Sequence, residues 1–202
     1  MEGTSRPRGV SSLALHLHPR SVPAGALPLP RTFGLGGASL VLFLVLAGTG
    51  ALLLAAYEPS PERAHGSILR LVDEVRFGAL VRNAHHWAAN ALVLVSVLHL
   101  LRVLFRGALL PPRRGNWLVG VALLLLVVAS AFTGYLLPWD QLAYWAVTVG
   151  TGMLAYVPVA GETLLRAARG GADVGPATLS RFFVLHVAVL PAALLVLLAV
   201  HF

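Results

Sequence analysis

"RNAHHWAANALVLVSVLHLLR", residues 82–102, contains no Lys, Asp or Glu, and its arginines stand only at the two ends, yet it carries His85 and His99 fourteen residues apart. At about 100° and 1.5 Å per residue, that spacing returns both imidazoles to within roughly 60° of one helical face, about 21 Å apart along the axis. A helix apolar enough to lie in hydrocarbon thus presents one imidazole near each side of a membrane. Strongly polar side chains are costly in lipid and seldom occur there without a partner or a function. The stretch therefore demands an answering element elsewhere in the chain.

"RFFVLHVAVLPAALLVLLAVHF", residues 181–202, supplies it, with His186 and His201 fifteen apart. Four windows lack Asp, Glu, Lys and Arg over lengths that can cross hydrocarbon, which takes roughly 20 helical residues: 32–57, 83–101, 115–139 and 182–202. These predict spans A to D, with helices over about 32–57, 79–105, 115–138 and 178–202. A fifth uncharged window, 141–161, is interrupted by Gly150, Gly152 and Pro158 and carries Tyr144, Trp145 and Tyr156, aromatics of the interfacial kind. It reads as a pair of short surface helices within 141–170. Spans B and D then run in the same direction, so that His85 faces His186 and His99 faces His201. The expected fold is an all-α membrane protein, a four-transmembrane-helix bundle with a short surface helix pair between C and D.

Composition agrees: of 202 residues, 57% are hydrophobic and 11% charged, which excludes an ordinary soluble domain. The net charge of +7 comes from arginines spread over termini and loops between apolar spans, a pattern of membrane anchoring rather than of nucleic-acid binding. The short basic link around Arg106, Pro111, Pro112, Arg113 and Arg114 points to the cytoplasm by the positive-inside rule, but the other polar segments carry similar numbers of arginines and orientation stays open. Residues 1–31 hold five prolines and read as a flexible or surface-lying arm without a cleavable signal. With no cysteine, the chain has no disulfide, no thiolate metal site and no thioether-linked cofactor.

Two facing imidazoles without a carboxylate or thiolate do not suit zinc, which takes four protein ligands, or three and an open position. They suit haem iron, which accepts two axial histidines, and six-coordinate iron of that kind transfers electrons rather than binding oxygen or substrate. Gly36 and Gly50 in span A, and Gly120 and Gly134 in span C, are each fourteen apart and offer side-chain-free spots at both levels for a porphyrin edge. Arg82 and Arg102, one turn outside His85 and His99, are placed to neutralise propionates. His16, His18 and His65 lie outside the spans and read as solvated, and His86, turned about 100° from His85, as packing or interfacial.

On "RNAHHWAAN" with His99 following, "NWLVGVALLLLVVASAFTGYLLPWDQLAYWAVTVGTG" and "RFFVLHVAVLPAALLVLLAVHF", the chain resembles cytochrome b of the quinol oxidoreductases, from about Thr32 to Phe202. The fifteen-residue spacing in span D and "PWDQ" look like the short split form of chloroplasts and cyanobacteria, here in a bacterial setting. The resemblance implies two noncovalent b-type haems, one on the positive side of the membrane held by His85 and His186, the other on the negative side held by His99 and His201. It matches Arg82 and Arg102 to the propionate arginines and Gly36, Gly50, Gly120 and Gly134 to the family's four helix glycines. Pro138, Trp139, Tyr144 and Trp145 would border the quinol-oxidising pocket.

The resemblance also implies partners: a second cytochrome b polypeptide bringing the remaining helices and a Pro-Glu-Trp-Tyr motif, a Rieske iron-sulfur protein, a c-type cytochrome, and a homodimeric complex in the bacterial cytoplasmic membrane. Gly34 stands where the short form has the cysteine that anchors a third haem, so no such haem is expected. The sequence stops one residue after His201, where the family continues with a polar tail, which implies a truncation or a differently built negative-side quinone site. The expected function is a dihaem electron-transfer subunit of a quinol oxidoreductase, not complete as a single chain. The alternatives are a dihaem anchor of a hydrogenase or formate dehydrogenase, against which "PWDQ" and the aromatic segment argue, and a haemless membrane scaffold.

Overall fold

Apolar windows of this length have one stable form in lipid, because every backbone N–H and C=O must bond within its own segment. The computed structural model describes residues 33–107 and 114–202, and among these the regular structure is all helical, with no strand. The expected arm at 1–31, His16, His18, and Pro111, Pro112 and Arg113 lie outside the described residues. The helices are α1 (Leu35–Leu54), α2 (Ala64–Asp73), α3 (Gly78–Phe105), α4 (Arg114–Leu136), α5 (Gln141–Gly152), α6 (Gly161–Arg169), α7 (Pro176–Val184) and α8 (Leu190–His201). A 3₁₀ turn, Met153–Tyr156, follows α5, and a π-helical turn, Leu185–Val189, fuses α7 and α8 into one rod. Among the described residues four rods are long and apolar enough to cross a membrane: α1, α3, α4 and the Pro176–His201 rod. They coincide with spans A to D; α2 lies where the sequence reads only as a link.

Contacts fix the directions of the spans. Gly36 of α1 lies beside His99 and Gly50 beside His85, so α1 and α3 are antiparallel. Gly120 of α4 lies beside His201 and Gly134 beside His186, so α4 opposes span D in the same way. Since His85 pairs with His186 and His99 with His201, spans B and D are parallel. The segment between α4 and α7 therefore starts and ends on one side of the bundle, as the surface-helix reading requires.

Midway between the two imidazole levels, one buried side chain from each span closes the bundle: Phe43, Leu92, Val127 and Leu194. Phe43 is seven residues from Gly36 and from Gly50, Leu92 seven from His85 and from His99, and Val127 seven from Gly120 and from Gly134. Seven residues is two helical turns, so each span presents level, plug and level on a single face. Elsewhere the span surfaces are apolar and exposed, as at Leu44, Leu94, Leu125 and Leu195, which is the lipid-facing pattern.

The end holding His85 and His186 has a second core, in which Leu136, Val147, Leu179 and Phe182 are buried together with Ala64 and Val174. It joins α2, α4, α5 and α7. The approach of α2 to α3 needs Gly78, where a Cβ would stand 1.8 Å from the Leu71 carbonyl oxygen. After α4 the chain turns through Trp139, held at φ 51°, a left-handed conformation that costs a non-glycine residue about 1–3 kcal/mol. Three side chains hold that turn. The Tyr57 hydroxyl donates to the Leu137 carbonyl at 2.7 Å, His65 Nδ1 donates to the Pro138 carbonyl at 3.3 Å, and Asp140 caps α5 by accepting from Ala143 N–H at 2.8 Å. Burial raises the Tyr57 pKa, so the hydroxyl keeps its proton.

Arg169 of α6 is buried and ties the surface helices to span D. It donates to Thr151 Oγ1 at 2.7 Å, to the Thr148 carbonyl at 2.8 Å and to the Ala172 carbonyl at 2.8 Å, while its own carbonyl accepts from Thr178 Oγ1 at 2.7 Å. Removing the guanidinium leaves buried acceptors without donors, each costing about 1–3 kcal/mol. Arg169→Ala is thus expected to lower stability by about 3 kcal/mol and Asp140→Ala, a lost cap, by about 1 kcal/mol. Thermal unfolding of the detergent-solubilised protein measures both, and equal losses would refute the ranking.

Candidate functional site

Each level of the bundle holds one row of four residues, one per span. On the upper level Gly50, His85, His186 and Gly134 lie in sequence across the bundle; on the lower, Gly36, His99, His201 and Gly120. The His85 and His186 rings have centroids 6.2 Å apart with planes at 71°, and those of His99 and His201 are 6.5 Å apart at 81°. A metal–imidazole bond is about 2 Å, so two imidazoles on opposite sides of one ion place their centroids about 6 Å apart. Both pairs fit that spacing. Among the described residues no three His, Cys, Asp or Glu side chains converge, so the four- or three-ligand set of zinc is not formed.

The hydrogen bonds of the upper pair decide which ring nitrogen is available. Thr49 Oγ1 donates its single proton to the Val45 carbonyl at 2.7 Å and lies 2.9 Å from His85 Nδ1. It can only accept from the ring, so Nδ1 carries the proton and Nε2 keeps its lone pair. His186 Nδ1 is 2.9 Å from the Ser130 carbonyl oxygen, an acceptor, with Thr133 Oγ1 at 3.5 Å. The same logic leaves His186 Nε2 free. Axial ligation of haem iron by histidine needs this tautomer, with the second nitrogen oriented by a hydrogen bond.

The lower pair borders a cavity of about 490 Å³, within the range of cofactor pockets, lined among others by Ser39, Ser96, His99, Asn116, Trp117 and His201. Ser39 Oγ and Trp117 Nε1 are buried there without a hydrogen-bond partner among the described residues. Such orphaned donors are rare in the absence of a ligand and suit the carboxylates of a haem. The apolar walls, paired imidazoles and free donors fit the group.

Register in span D is set by the π turn. Fifteen α-helical residues overshoot four whole turns by about 60°, while fourteen fall about 40° short. The Leu190 N–H bonds back to the Leu185 carbonyl, five residues earlier, so one residue is absorbed without added rotation. Fifteen residues of span D thereby turn as far as fourteen of span B. The cause follows at once in the sequence: Pro191 has no N–H, and its ring crowds the carbonyl of Val187.

The structure adds contacts that the sequence does not show. The four glycines lie beside the paired imidazoles: a Cβ would stand 3.2 Å from His99 at Gly36, 3.3 Å from His85 at Gly50, 3.3 Å from His201 at Gly120 and 2.5 Å from His186 at Gly134. Each of the four rings brings its Cε1 close to a glycine of the neighbouring span. His65 is exposed but not merely solvated, since it holds the Pro138 carbonyl. His86 is exposed on α3 and accepts from Asn90 Nδ2 at 3.3 Å.

Arg82 is half-buried one turn before His85, and the Arg102 guanidinium lies 4.0 Å over the Phe33 ring. Gly34 adopts φ +66° just before α1, a conformation that side chains with a Cβ rarely take. Trp139, Tyr144 and Trp145 form an edge-to-face series, with centroids at 6.2 and 5.5 Å, beside Pro138. Thr49, Tyr57 and His65 are contributors that the sequence reading missed. Only for Thr49 was there a signal, the repeated Thr-Gly of Thr49-Gly50 and Thr133-Gly134. From the Cβ distances, Gly134→Ala is expected to displace His186 and remove about half of the bound haem, whereas Gly36→Ala retains nearly all of it; haem per chain by pyridine haemochrome distinguishes them.

Known proteins resemble this chain over most of its length. The family model described as Cytochrome b/b6/petB covers residues 24–202. Cytochrome b6 of Heliobacterium mobile is 43% identical over 194 residues, covering 96% of this chain and 90% of the relative. Cytochrome b6 of Synechocystis sp. is 44% identical over 168 residues, covering 83% and 76%. A chain of a hyperthermophilic respiratory Complex III superimposes with a TM-score of 0.75 at 31% identity over 84% of this chain; the chain spans 46% of that longer subunit. The protein belongs to the cytochrome b family, with four membrane-length apolar helices among its described residues.

Proposed function

We propose that the chain is the dihaem electron-transfer subunit of a quinol oxidoreductase, with residues 32–202 as its haem-binding domain. The observation that carries this reading is the pair of histidine rows, each at the spacing for one iron and each backed by glycines on the flanking spans. Haem held by two histidines supplies one-electron transfer without an open coordination position. His85 with His186 holds one b-type haem toward the positive side of the membrane, and His99 with His201 a second toward the negative side. Fourteen residues along span B separate the two levels by about 21 Å, so the chain carries electrons across most of a hydrocarbon core of about 30 Å. A unit charge crossing the whole membrane is worth about 2.3 kcal/mol per 100 mV.

The chain's own residues also prepare the quinol side. Pro138, Trp139, Tyr144 and Trp145 border the oxidising pocket, and Tyr57, His65 and Asp140 hold their turn in its strained shape. Ser39 and Trp117, with Arg102, receive propionates at the lower level, and Arg82 does so at the upper. The pocket is completed by a second polypeptide carrying the remaining helices and the Pro-Glu-Trp-Tyr motif. A Rieske iron-sulfur protein and a c-type cytochrome take the other electron, in a homodimeric complex.

Pyridine haemochrome analysis of the purified protein is expected to give two noncovalent protohaems per chain. His99→Ala and His201→Ala should each lose one and the same haem, while His85→Ala and His186→Ala lose the other. Loss of both haems in every variant, or of neither, contradicts the pairing. Copurification of a Rieske-type protein with a three- or four-helix partner tests the assembly.

A further inference from the structure

The two histidine rows share their glycines but not the residue before them. On the upper level each glycine follows a threonine, Thr49 and Thr133; on the lower level it follows Leu35 or Val119. A threonine in an apolar span serves its own helix first, and both hydroxyls do so, half-buried Thr49 toward the Val45 carbonyl at 2.7 Å and buried Thr133 toward the Ala129 carbonyl at 2.9 Å. Their lone pairs then face the ligand rings. Thr49 Oγ1 takes the His85 Nδ1 proton at 2.9 Å, with the Leu46 backbone also lying toward that ring, whereas His186 Nδ1 has the Ser130 carbonyl at 2.9 Å ahead of Thr133 at 3.5 Å. On the lower level His99 Nδ1 and His201 Nδ1 are buried with no hydrogen bond among the described residues. The Asn116 backbone lies toward His201 without reaching hydrogen-bond geometry.

We propose that Thr49 is a positioning residue that sets the reduction potential of the haem at His85 and His186 apart from that of the haem at His99 and His201. The assignment rests on the dihaem reading above. An imidazole that donates Nδ1–H to an acceptor is more basic at Nε2, because the ring gains imidazolate character. A more basic axial ligand stabilises the ferric ion over the ferrous, so the bond lowers the midpoint potential. Both upper ligands carry such a bond and neither lower ligand does. Electrons therefore run downhill from the upper level to the lower. Gly50, next to Thr49, makes the bond possible: its missing Cβ lets the His85 ring approach α1, with Cε1 at 3.3 Å from where that Cβ would be.

The test is redox potentiometry of the haem α-bands in the intact complex, with haem content measured in parallel. The wild type is expected to titrate as two one-electron components. Thr49→Val should shift one of them, raising its reduction equilibrium constant about tenfold, which is about 59 mV for one electron. The other component stays put. Thr49→Ser, which keeps the hydroxyl, should titrate as wild type, and Thr133→Val should shift the same component by less, because the Ser130 carbonyl remains. Unmoved components in Thr49→Val with two haems bound would overturn the assignment, as would equal shifts of both or a Thr49→Ser profile like that of Thr49→Val. Loss of one haem from both Thr49→Val and Thr49→Ala would also overturn it, in favour of a purely structural hydroxyl. A wild type without two components would instead refute the dihaem reading itself.

Discussion

Two imidazoles can share one iron only if separate helices hold them about 6 Å apart across a gap that no other side chain enters. In this chain two imidazole pairs stand at that spacing, at two depths. Meeting it governs the spacing on every span: glycines and histidines recur at fourteen residues, with a plug residue at seven, on α1, α3 and α4, and at fifteen, with the extra residue absorbed, on span D. A helix that kept its polar or bulky residues at any other period would turn them into lipid or into the neighbouring backbone. The plug of Phe43, Leu92, Val127 and Leu194 is what remains of an ordinary helix-bundle core once both levels are reserved for imidazoles. Lipid gives no hydrophobic drive for helix to pack on helix, so close approach at the glycines and van der Waals contact in this layer hold the spans together.

The two ends of the bundle are built unequally. The end with His85 and His186 carries α2, α5 and α6, a second buried cluster and the Arg169 network. Its imidazoles are tied by hydrogen bonds to fixed acceptors. The end with His99 and His201 has an open cavity, orphaned donors and imidazoles without such ties. That difference matters for a carrier of electrons, because a hydrogen bond to the remote ring nitrogen is one of the few means a protein has to separate two chemically identical centres. The strained turn at Trp139 belongs to the same reinforced end, where Tyr57, His65 and Asp140 over-determine a backbone shape that an isolated loop would relax.

Much of this was legible before any coordinates. The lengths of the apolar windows, the parity argument from Gly150, Gly152 and Pro158, and the two histidine spacings led to four spans, a surface helix pair and the pairing of His85 with His186. The glycines stood out by period, but their partners did not: a period says that a face is shared, not what occupies it. His65 was unreadable for a different reason. Its contact with the Pro138 carbonyl joins residues 73 positions apart through backbone, and no pattern of side chains records that. Helix α2 escaped notice because it is short and amphipathic, set in a charged link.

What the sequence by itself determined was periodicity: which residues return to one face, which windows can enter hydrocarbon, and hence how many times the chain crosses. Only the tertiary structure decided distance. It brought the imidazole centroids to 6.2 and 6.5 Å, laid each ring against a glycine of a different span, and oriented the His85 proton toward Thr49. The physical reason is that hydropathy and helical pitch are local and act residue by residue. The separation of two side chains on different helices depends on how closely four rods pack, and that follows from contacts between residues far apart in the chain.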